Sequence, residues 1–494
     1  MGGIVTEMAS TGSLSKLLWW RAAERPDFPL TFVEEEGPWT VGSIAAAATQ
    51  ISRHLPDRPG RVIVRLGNDE RFLAALTAVW LQGGSAVVVH PAAPGADVDQ
   101  IVRSMGVGAL IQGVESQAPT GSVPTLVVPR LPRDAATTDE PHSVPAVDDG
   151  DEALVLLTSG STGEPKGVLL THGSGWSNLA ATVSAFRSDT RPTPISSDGK
   201  PPNLIANPVS HTAGVVRILF ALYVGRPFVL LRKFDPLACH RAITRHRIDN
   251  LTINPTMIRM LLDALPVGAD LGSVRYVSSG TAPLTTSLRE EFEVRFGVPV
   301  LQAYGQTEAF GGVAVEPVKD VLAGRRRPDS VGKALPGVEI RIGADEEILV
   351  RTPSVTAGYL GGEVSPVDRD GWLHTGDTGR LDDDGYLYVT GRLKNIIICG
   401  GFNIVPEEVE AAIAVDEAVR DVAVLGVPDD RLGEVPVAVA EASDQAEAIL
   451  ARVAGRLAPY KRPRRLLIVD ALPRVPNGKV DRPALARVLK GIPT

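Results

Sequence analysis

Apolar residues recur with two different spacings along the first half of the chain. Segments with helical spacing alternate with short continuous apolar runs, which are typical of strands buried on both faces. Strands and helices that alternate in this way favour parallel sheets covered by helices. The predicted helices are residues 13–23, 41–54, 70–83 and 98–105, and the predicted strands are residues 61–66, 85–89 and 109–111.

A Pro- and Asp-rich stretch at residues 117–150 interrupts this pattern, and we predict a loose surface excursion there. Beyond it the alternation resumes. Strands are predicted at residues 203–206, 227–231 and 251–253, and helices at residues 235–247 and 255–265.

The character of the chain changes near Gly332, where the periodic segments become shorter. Residues 339–342, 347–351 and 385–390 predict a β-rich subdomain. The last hundred or so residues have the size and patterning of an independent α+β domain. We therefore predict an α/β protein with an N-terminal domain at 1–392, which includes the β-rich part at about 330–392, and a C-terminal domain at 393–494.

Composition narrows the class of protein. The 494 residues carry a net charge of −8, so the chain has no basic footprint for nucleic acid. Two cysteines cannot form a disulfide framework, which fits a reducing cytosol. The apolar stretches 77–89 and 213–231 are interrupted by glycine or by charged residues, so we interpret them as buried elements and not as membrane spans. We expect a cytoplasmic protein without a nucleic-acid or membrane partner.

Residues 158–167, with the sequence TSGSTGEPKG, are the most informative segment. They follow the apolar run 153–157, so a strand leads into a loop whose amides, hydroxyls and ammonium can all face a polyphosphate. The loop is not a Walker A motif, because Pro165 precedes Lys166 and Gly167 follows it. The candidate phosphate-binding residues are Thr158, Ser159, Gly160, Ser161, Thr162, Gly163 and Lys166.

Several further motifs follow in order. They are SSGTAP at 278–283, QAYGQTE at 302–308, WLHTGDTG at 372–379, GRLKN at 391–395 and PNGKVDR at 476–482. With these motifs the chain closely resembles the adenylate-forming superfamily, which comprises acyl- and aryl-CoA synthetases, nonribosomal-peptide adenylation domains and beetle luciferases. The resemblance extends over nearly the whole length.

This resemblance implies a two-step reaction. A carboxylate is a poor electrophile, and its attack on the α-phosphate of ATP yields an acyl-AMP and pyrophosphate. A thiol, that of CoA or of a phosphopantetheine arm, then displaces AMP and forms a thioester. Two anions must meet in the first step, so cationic and hydrogen-bonding groups are needed where they come together.

The resemblance also assigns roles to residues of the nucleotide site. The loop at 158–167 would hold the departing pyrophosphate, Tyr304 would stack on adenine, and Asp377 would grip the ribose hydroxyls with Arg392 beside it. Thr307 would contact the α-phosphate and Glu308 would bind Mg²⁺. The remaining residues expected to contact the nucleotide are Gly280, Thr281, Ala282 and Gly305.

Two lysines have predicted roles near the C-terminus of the chain. Lys479 resembles the lysine that reaches the oxygens shared by carboxylate and α-phosphate, and in the family its domain then rotates away. Lys394 occupies the hinge position between the domains, and we assign it a conformational role without a chemical one.

The expected acid pocket consists mostly of small residues. His211 matches a histidine near the acyl and thiol entrance of CoA-forming members. The aspartate with which amino-acid adenylation domains pair a substrate ammonium is missing from the matching segment, which favours a plain carboxylic acid with an aromatic or medium-length acyl group. The predicted pocket residues are His211, Thr212, Gly280, Ala309 and Gly311.

Alternatives to a CoA ligase remain at this stage. A free-standing adenylating enzyme would load a separate carrier protein or another acceptor. A non-catalytic nucleotide-binding homologue would be expected to lose Lys166, Glu308, Asp377 or Lys479, and all four are present.

Overall fold

The computed structural model describes residues 12–116, 123–133, 147–159, 165–186, 199–360, 364–399, 402–429, 432–457, 461–476 and 478–490. Its α-helices are α1 Leu17–Glu24, α2 Val41–Ser52, α3 Glu70–Leu81, α4 Gly95–Met105, α5 His172–Phe186, α6 Thr212–Val224, α7 Pro236–His246, α8 Pro255–Ala264, α9 Thr286–Phe296, α10 Val318–Leu322, α11 Pro406–Ala414, α12 Ala446–Val453 and α13 Arg482–Lys490.

The strands of the first half are β1 Pro29–Val33, β2 Trp39–Thr40, β3 Arg61–Arg65, β4 Ser85–Val88, β5 Val107–Gly113, β6 Thr125–Val128, β7 Glu152–Ser159, β8 Pro165–Thr171, β9 Asn203–Ile205, β10 Phe228–Leu230 and β11 Asn250–Thr252. Those of the second half are β12 Tyr276–Ser279, β13 Val300–Gln306, β14 Gly311–Val315, β15 Gly332–Ala334, β16 Glu339–Ile342, β17 Glu347–Arg351, β18 Gly358–Tyr359, β19 Leu373–Leu381, β20 Tyr386–Arg392, β21 Ile397–Cys399, β22 Phe402–Ile404, β23 Val419–Asp429, β24 Gly433–Ala442 and β25 Arg465–Ile468.

A seven-stranded sheet with the order β18-β8-β7-β4-β3-β5-β6 forms the centre of the N-terminal part. The pairs from β7 to β6 are parallel, whereas β8 and β18 add on in antiparallel fashion. Strands β3 and β4 are buried almost throughout, because helices cover both faces, and this explains their continuous apolar runs. The predicted α/β class is confirmed.

A second, nine-stranded sheet has the order β11-β12-β13-β14-β15-β20-β19-β17-β16. Its first three strands are parallel and the rest pair in antiparallel fashion. The β-rich segment after Gly332 therefore continues the sheet that begins at β11. A four-stranded sheet, β2-β1-β10-β9, lies beside these two in the N-terminal part.

The C-terminal part has its own sheet of five strands, in which β22-β21-β24-β23 are consecutive and β25 pairs in parallel with β24. Its core is separate and contains Ile404, Val409 and Ile413 together with residues of β23 and β24. A separate core agrees with the independent patterning of this segment.

One prediction about local structure needs correction. The excursion predicted at 117–150 contains strand β6, which pairs in parallel with β5. This strand was missed because it is an edge strand with mostly exposed or half-buried side chains, so its apolar signal is weak. Residues 117–122 and 134–146 lie outside the described residues.

Within the described ranges, no helix combines the length and the apolar character needed to cross a membrane.

Candidate active site

A cavity of about 3190 Å³ lies between the N-terminal part and the C-terminal sheet. This volume exceeds that of an ordinary small-molecule pocket and leaves room for a nucleotide and a second ligand. The motifs that are far apart in the sequence meet at its wall, which includes Thr158, Lys166, His211, Gly280, Thr281, Ala282, Tyr304, Gly305, Thr307, Glu308, Gly311, Asp377, Arg392 and Lys479.

The phosphate-type loop connects two antiparallel strands, β7 and β8, in which Thr158 pairs with Lys166. The Lys166 ammonium lies 5.4 Å from the ring centroid of Tyr359, a distance suited to a cation–π contact. Ser159 is described only through its backbone. The predicted residues Gly160, Ser161, Thr162 and Gly163 lie outside the described residues.

Asp377 is held by donors from two other strands. Its Oδ2 accepts hydrogen bonds from the Tyr304 hydroxyl at 2.8 Å and from Gln306 Nε2 at 2.6 Å. Its Oδ1 accepts from Arg392 Nε at 2.5 Å, since Arg392 is the direct partner of Asp377 across β19 and β20. Burial and the neighbouring Asp377 raise the pKa of Tyr304 well above its usual value, so this phenol stays protonated and donates.

Two buried hydroxyl groups in the cavity wall that contains Tyr304 have no hydrogen-bond partner in the described part of the chain. Ser279 Oγ and Thr281 Oγ1 are buried without a hydrogen bond to any of the described residues. Thr281 also has a φ of 71°, a left-handed conformation that is costly for threonine. Orphaned hydroxyls, an aromatic face and a carboxylate together fit the adenosine part of a nucleotide.

Gly305 lies where the backbones of β13 and β14 come closest. A Cβ at this position would lie 2.0 Å from the carbonyl oxygen of Gly311, so no other residue fits without a shift of the backbone. The glycine therefore keeps Tyr304 and Gln306 aimed at Asp377.

Thr307 and Glu308 lie on a short 3₁₀ turn, Thr307–Ala309, directly after β13. The Oγ1 atoms of Thr307 and Thr212 are 2.7 Å apart and share a hydrogen bond. Glu308 Oε1 accepts a hydrogen bond of 2.9 Å from the Tyr359 hydroxyl. A carboxylate oxygen in this position suits Mg²⁺, which prefers hard ligands and uses few of them from the protein.

The described ranges contain no group of three or more His, Cys, Asp and Glu side chains that could hold a metal ion.

Lys479 enters the cleft on a turn of the C-terminal part. The carbonyl oxygen of the preceding Gly478 accepts hydrogen bonds from Thr256 Oγ1 at 2.9 Å and Arg474 Nη1 at 2.8 Å. Gly478 has a φ of 85°, and an added Cβ would lie 3.1 Å from atoms of Asn254 and Thr256. A glycine is therefore required for this close contact between the two parts.

The ammonium of Lys479 faces residues that are expected to bind the nucleotide and its Mg²⁺, namely Glu308, Asp377 and Arg392. The cleft is open to solvent, but protein atoms surround the ammonium on several sides. This burial, followed by the charge of Arg392, lowers the pKa of Lys479, while Asp377 and Glu308 oppose the shift. The structure therefore brings Lys479 close to Glu308 and Asp377, which lie far from it in the sequence.

His211 has a structural role that sequence reasoning missed. It is the N-cap of α6, and its Nδ1 accepts a hydrogen bond of 3.2 Å from the backbone amide of Ala213. Burial and then the charge of Lys479 lower the pKa of His211 to about 4. The imidazole is thus neutral, with its proton on Nε2, and its other edge lines the cavity.

The acid pocket requires one correction. Ala309 was predicted to line it, but its side chain is fully buried and packs in a core with Val313 and Leu373. The 3₁₀ turn directs Ala309 inward, whereas Thr307 and Glu308 on the same turn line the cavity. Gly311 does line the pocket, next to Asn178 and Val216.

Lys394 lies within the 3₁₀ turn Leu393–Asn395, directly after β20. This turn is where the chain leaves the nine-stranded sheet, and β21 of the C-terminal sheet follows it. The hinge role of Lys394 stays a prediction.

Comparison with known proteins agrees with this site. The model of the AMP-binding enzyme family matches residues 18–360, and that of the AMP-binding enzyme C-terminal domain matches residues 408–479. The chain is 40% identical over 352 residues to the 3-[(3aS,4S,7aS)-7a-methyl-1,5-dioxo-octahydro-1H-inden-4-yl]propanoyl:CoA ligase of Mycobacterium tuberculosis, covering 69% of this chain and 67% of that protein. It is 35% identical over 444 residues to a feruloyl-CoA synthase of an Amycolatopsis species, covering 86% and 88%.

Solved structures of similar proteins share the whole architecture. The o-succinylbenzoate coenzyme A synthetase of Bacillus subtilis in complex with ATP and magnesium ion has a TM-score of 0.81 and 26% identity, covering 95% of this chain and 99% of that one. ATP-bound MatB from Rhodopseudomonas palustris has a TM-score of 0.85 and 26% identity, covering 97% and 99%.

The predicted resemblance, fold class and ligase activity are therefore confirmed. The match to the family model over 343 residues, from 18 to 360, covers more than half of the chain. This chain belongs to the AMP-binding enzymes and is an acyl- and aryl-CoA synthetase-like, AMP-forming acid–thiol ligase.

Proposed function

We propose that this ligase adenylates a small carboxylic acid with ATP in the cleft between its two parts and passes the acyl group to CoA. The observation that carries the proposal is the position of Lys479, whose ammonium lies near Glu308, Asp377 and Arg392 although it belongs to the C-terminal part. A cation at this point can neutralise the charge that develops when a carboxylate attacks a phosphate.

The adenosine moiety would occupy the pocket around Tyr304. Its base would stack on the phenol ring, beside the orphaned hydroxyls of Ser279 and Thr281. Its ribose hydroxyls would bind Asp377, whose carboxylate Arg392 and Gln306 hold in place. A carboxylate fixed by several donors needs little reorganisation when the ribose arrives.

The triphosphate would extend toward the hairpin of β7 and β8. Lys166 and Thr158 at the base of that hairpin would bind the departing pyrophosphate, and Thr307 would contact the α-phosphate. Mg²⁺, when bound by Glu308, would neutralise part of the phosphate charge. Tyr359 donates to Glu308 and so orients its carboxylate.

The acid would enter beside His211 and Thr212. The neutral imidazole of His211 places no cation next to the carboxylate, so Lys479 would supply the positive charge. Gly280 and Gly311 leave space for an aromatic or medium-length acyl group.

The second half-reaction would require the C-terminal part, residues 393–494, to turn about Lys394 and withdraw Lys479. Contacts such as those of Thr256 with Gly478 and of Asp263 with Arg420 are polar and accessible, so water can replace them. CoA would then reach the acyl-AMP. Because three of the similar proteins named above are a CoA ligase, a CoA synthase and a coenzyme A synthetase, CoA is the proposed acceptor, and a carrier protein is the alternative.

Exchange of labelled pyrophosphate into ATP, measured with a panel of carboxylic acids, tests the first step. We expect exchange with at least one acid and then CoA-dependent formation of its thioester. If no acid supports exchange, the proposal is wrong. Exchange followed by transfer only to a carrier protein would overturn CoA as acceptor.

A further inference from the structure

Two helices that pack against each other line the acid side of the cleft. Helix α6 (Thr212–Val224) lines it with Ala213, Val216, Arg217 and Phe220, which share one helical face. Helix α5 (His172–Phe186) faces it with Asn178, Thr182 and Phe186, each four residues from the next. Nearly all of these side chains are apolar or neutral, and Arg217 is the exception.

Arg217 has no carboxylate partner among the described residues. Its guanidinium lies 5.8 Å from the ring centroid of Phe220 and near the hydroxyl of Tyr276. By contrast, Arg226, also largely buried, forms an ion pair with Asp249. Burial lowers the pKa of Arg217, and Tyr276 opposes this shift, yet arginine remains protonated at neutral pH.

An enclosed cation without a counter-ion is costly for the folded protein. Aromatic groups lie near Arg217: Phe220 lies beside the guanidinium, and Tyr276, on which Phe186 stacks at 6.3 Å, interacts with it. A guanidinium in such surroundings suits a carboxylate, because it can bind both carboxylate oxygens at once.

The position of Arg217 sets the length of the ligand. Thr212 marks the reacting end, because it is hydrogen-bonded to Thr307. Arg217 follows five residues later, which is about 7.5 Å along a helix. Tyr276, which lies near Arg217, is the first residue of β12, and Gly280 directly follows this strand. Four residues of extended chain place the Cα atoms of Tyr276 and Gly280 about 13 Å apart. The Cα atoms of Arg217 and Tyr276 are therefore roughly 7–13 Å from the residues expected to mark the site of activation.

We propose that Arg217 binds a second carboxylate at the far end of the substrate, so that the enzyme prefers dicarboxylic acids over monocarboxylic acids of equal length. This inference rests on the proposed function and names its substrate class. The second carboxylate of a diacid would pair with the Arg217 guanidinium, whereas a monoacid would leave this charge unpaired. Polar groups left unpaired in an enclosed pocket discriminate strongly between substrates.

The test compares matched acids in pyrophosphate exchange. The diacids are pimelate, suberate, azelate and 3-(4-carboxyphenyl)propanoate, and the monoacids are heptanoate, octanoate, nonanoate and 3-phenylpropanoate. For the wild type we expect kcat/KM to be about 10–100-fold higher for the better diacids than for their monoacid partners, the range of one charged hydrogen-bonding pair.

Arg217→Met keeps the length of the side chain and removes its charge. We expect kcat/KM to fall about 10–100-fold for diacids, mainly through KM, and to rise for monoacids. Arg217→Lys should retain part of the diacid preference. A diacid alone should raise the melting temperature of the wild type and not that of Arg217→Met, a readout that does not require turnover.

Phe220→Glu provides a second variant in which Arg217 is kept. A glutamate three residues away on the same helix face can pair with the guanidinium, so diacid preference should disappear although the arginine is present. Equal effects of the variants on diacids and monoacids, or a wild type that prefers monoacids, would overturn the inference. Failure of every acid to support exchange would instead refute the proposed function.

Discussion

The hydroxyl of Tyr304 donates a hydrogen bond of 2.8 Å to Oδ2 of Asp377. The residue expected to stack on adenine thus also positions the carboxylate expected to bind the ribose. Gln306, two residues along the same strand, donates to the same oxygen at 2.6 Å. One strand, β13, therefore supplies both the ring expected to stack on adenine and two donors to the carboxylate expected to bind the ribose.

Removal of this hydrogen bond should weaken nucleotide binding. In Tyr304→Phe the ring remains for stacking, but Asp377 loses one donor, so we expect the KM for ATP to rise about 10-fold with a smaller change in kcat. Steady-state kinetics with varied ATP would measure this. Tyr388→Phe is a matched control, because its hydroxyl bonds Asp382 away from the cleft. Similar KM values for both variants would contradict the positioning role.

Lys479→Ala separates the two half-reactions. Loss of the ammonium should slow adenylation by roughly 10²–10³, the scale of losing one charge-stabilising contact. Thioester formation from pre-made acyl-AMP should be largely spared, because Lys479 would have left the site by then. Lys319→Ala, at an exposed position on α10, is the control. Equal losses in both half-reactions would refute the proposed rotation.

The contact between Thr256 and Gly478 holds Lys479 in the cleft. Thr256→Val removes a hydrogen bond of 2.9 Å that joins the two parts in this arrangement. We expect pyrophosphate exchange to fall about 5-fold, the worth of one neutral hydrogen bond. Thioester formation from acyl-AMP should not fall.

Thr244→Val is the matched control for this substitution, since the exposed Thr244 donates its hydroxyl to the carbonyl of His240 within α7. A parallel decrease of both half-reactions in Thr256→Val would indicate general damage to the fold.

Tyr359 should determine how well Glu308 binds magnesium. Tyr359→Phe keeps the ring beside Lys166 but removes the donor to Glu308. Loss of a group that hydrogen-bonds to a metal ligand commonly lowers metal affinity 10–100-fold. The Mg²⁺ concentration for half-maximal pyrophosphate exchange should therefore rise by about 10-fold. Titration of MgCl₂ at saturating ATP measures it. An unchanged requirement would mean that Glu308 needs no orientation by Tyr359.

His172 makes stability depend on pH. It is buried beside Trp80, at 5.4 Å between ring centroids, and burial lowers its pKa to about 4. An unfolded histidine titrates near 6.5, so between these values the unfolded chain binds more protons, and stability falls as pH decreases. The stabilisation is complete above about pH 6.5 and is lost progressively toward pH 4.

Between pH 7 and pH 5 this histidine should cost about 2 kcal/mol of unfolding free energy. Urea unfolding of the wild type and of His172→Gln at both pH values would show a smaller pH effect in the variant. His54→Gln, at an exposed position, should retain the pH effect of the wild type. An identical pH effect in His172→Gln would contradict a neutral buried imidazole.

The sequence indicated which residues would line one cleft because each motif carries its own local signal. Thr307, Glu308, Asp377 and Lys479 stand in strings that could be recognised without knowledge of the fold, and the structure brings them to one cleft. The alternation of helices and strands likewise indicated the parallel sheet, because apolar periodicity follows directly from which faces are buried.

Relationships across the fold could not be obtained in this way. Ala309 was assigned to the pocket because it is small and follows the motif, but the direction of its side chain depends on a 3₁₀ turn. The capping bond of His211 and the donor role of Tyr359 depend on which helix or strand lies opposite. The same holds for Arg217, which has no carboxylate partner in the described part of the chain. Such contacts have no periodic signal in the chain.

Strand β20 ends at Arg392, directly across from Asp377, and the chain turns toward the C-terminal part within the next three residues. The strand expected to contact the ribose would thus also anchor the predicted hinge at Lys394. If nucleotide binding rigidifies β20, the rotation of the C-terminal part would be confined to residues 393–395. The path of Lys479 would then depend on the nucleotide that it contacts, and release of AMP would loosen the hinge.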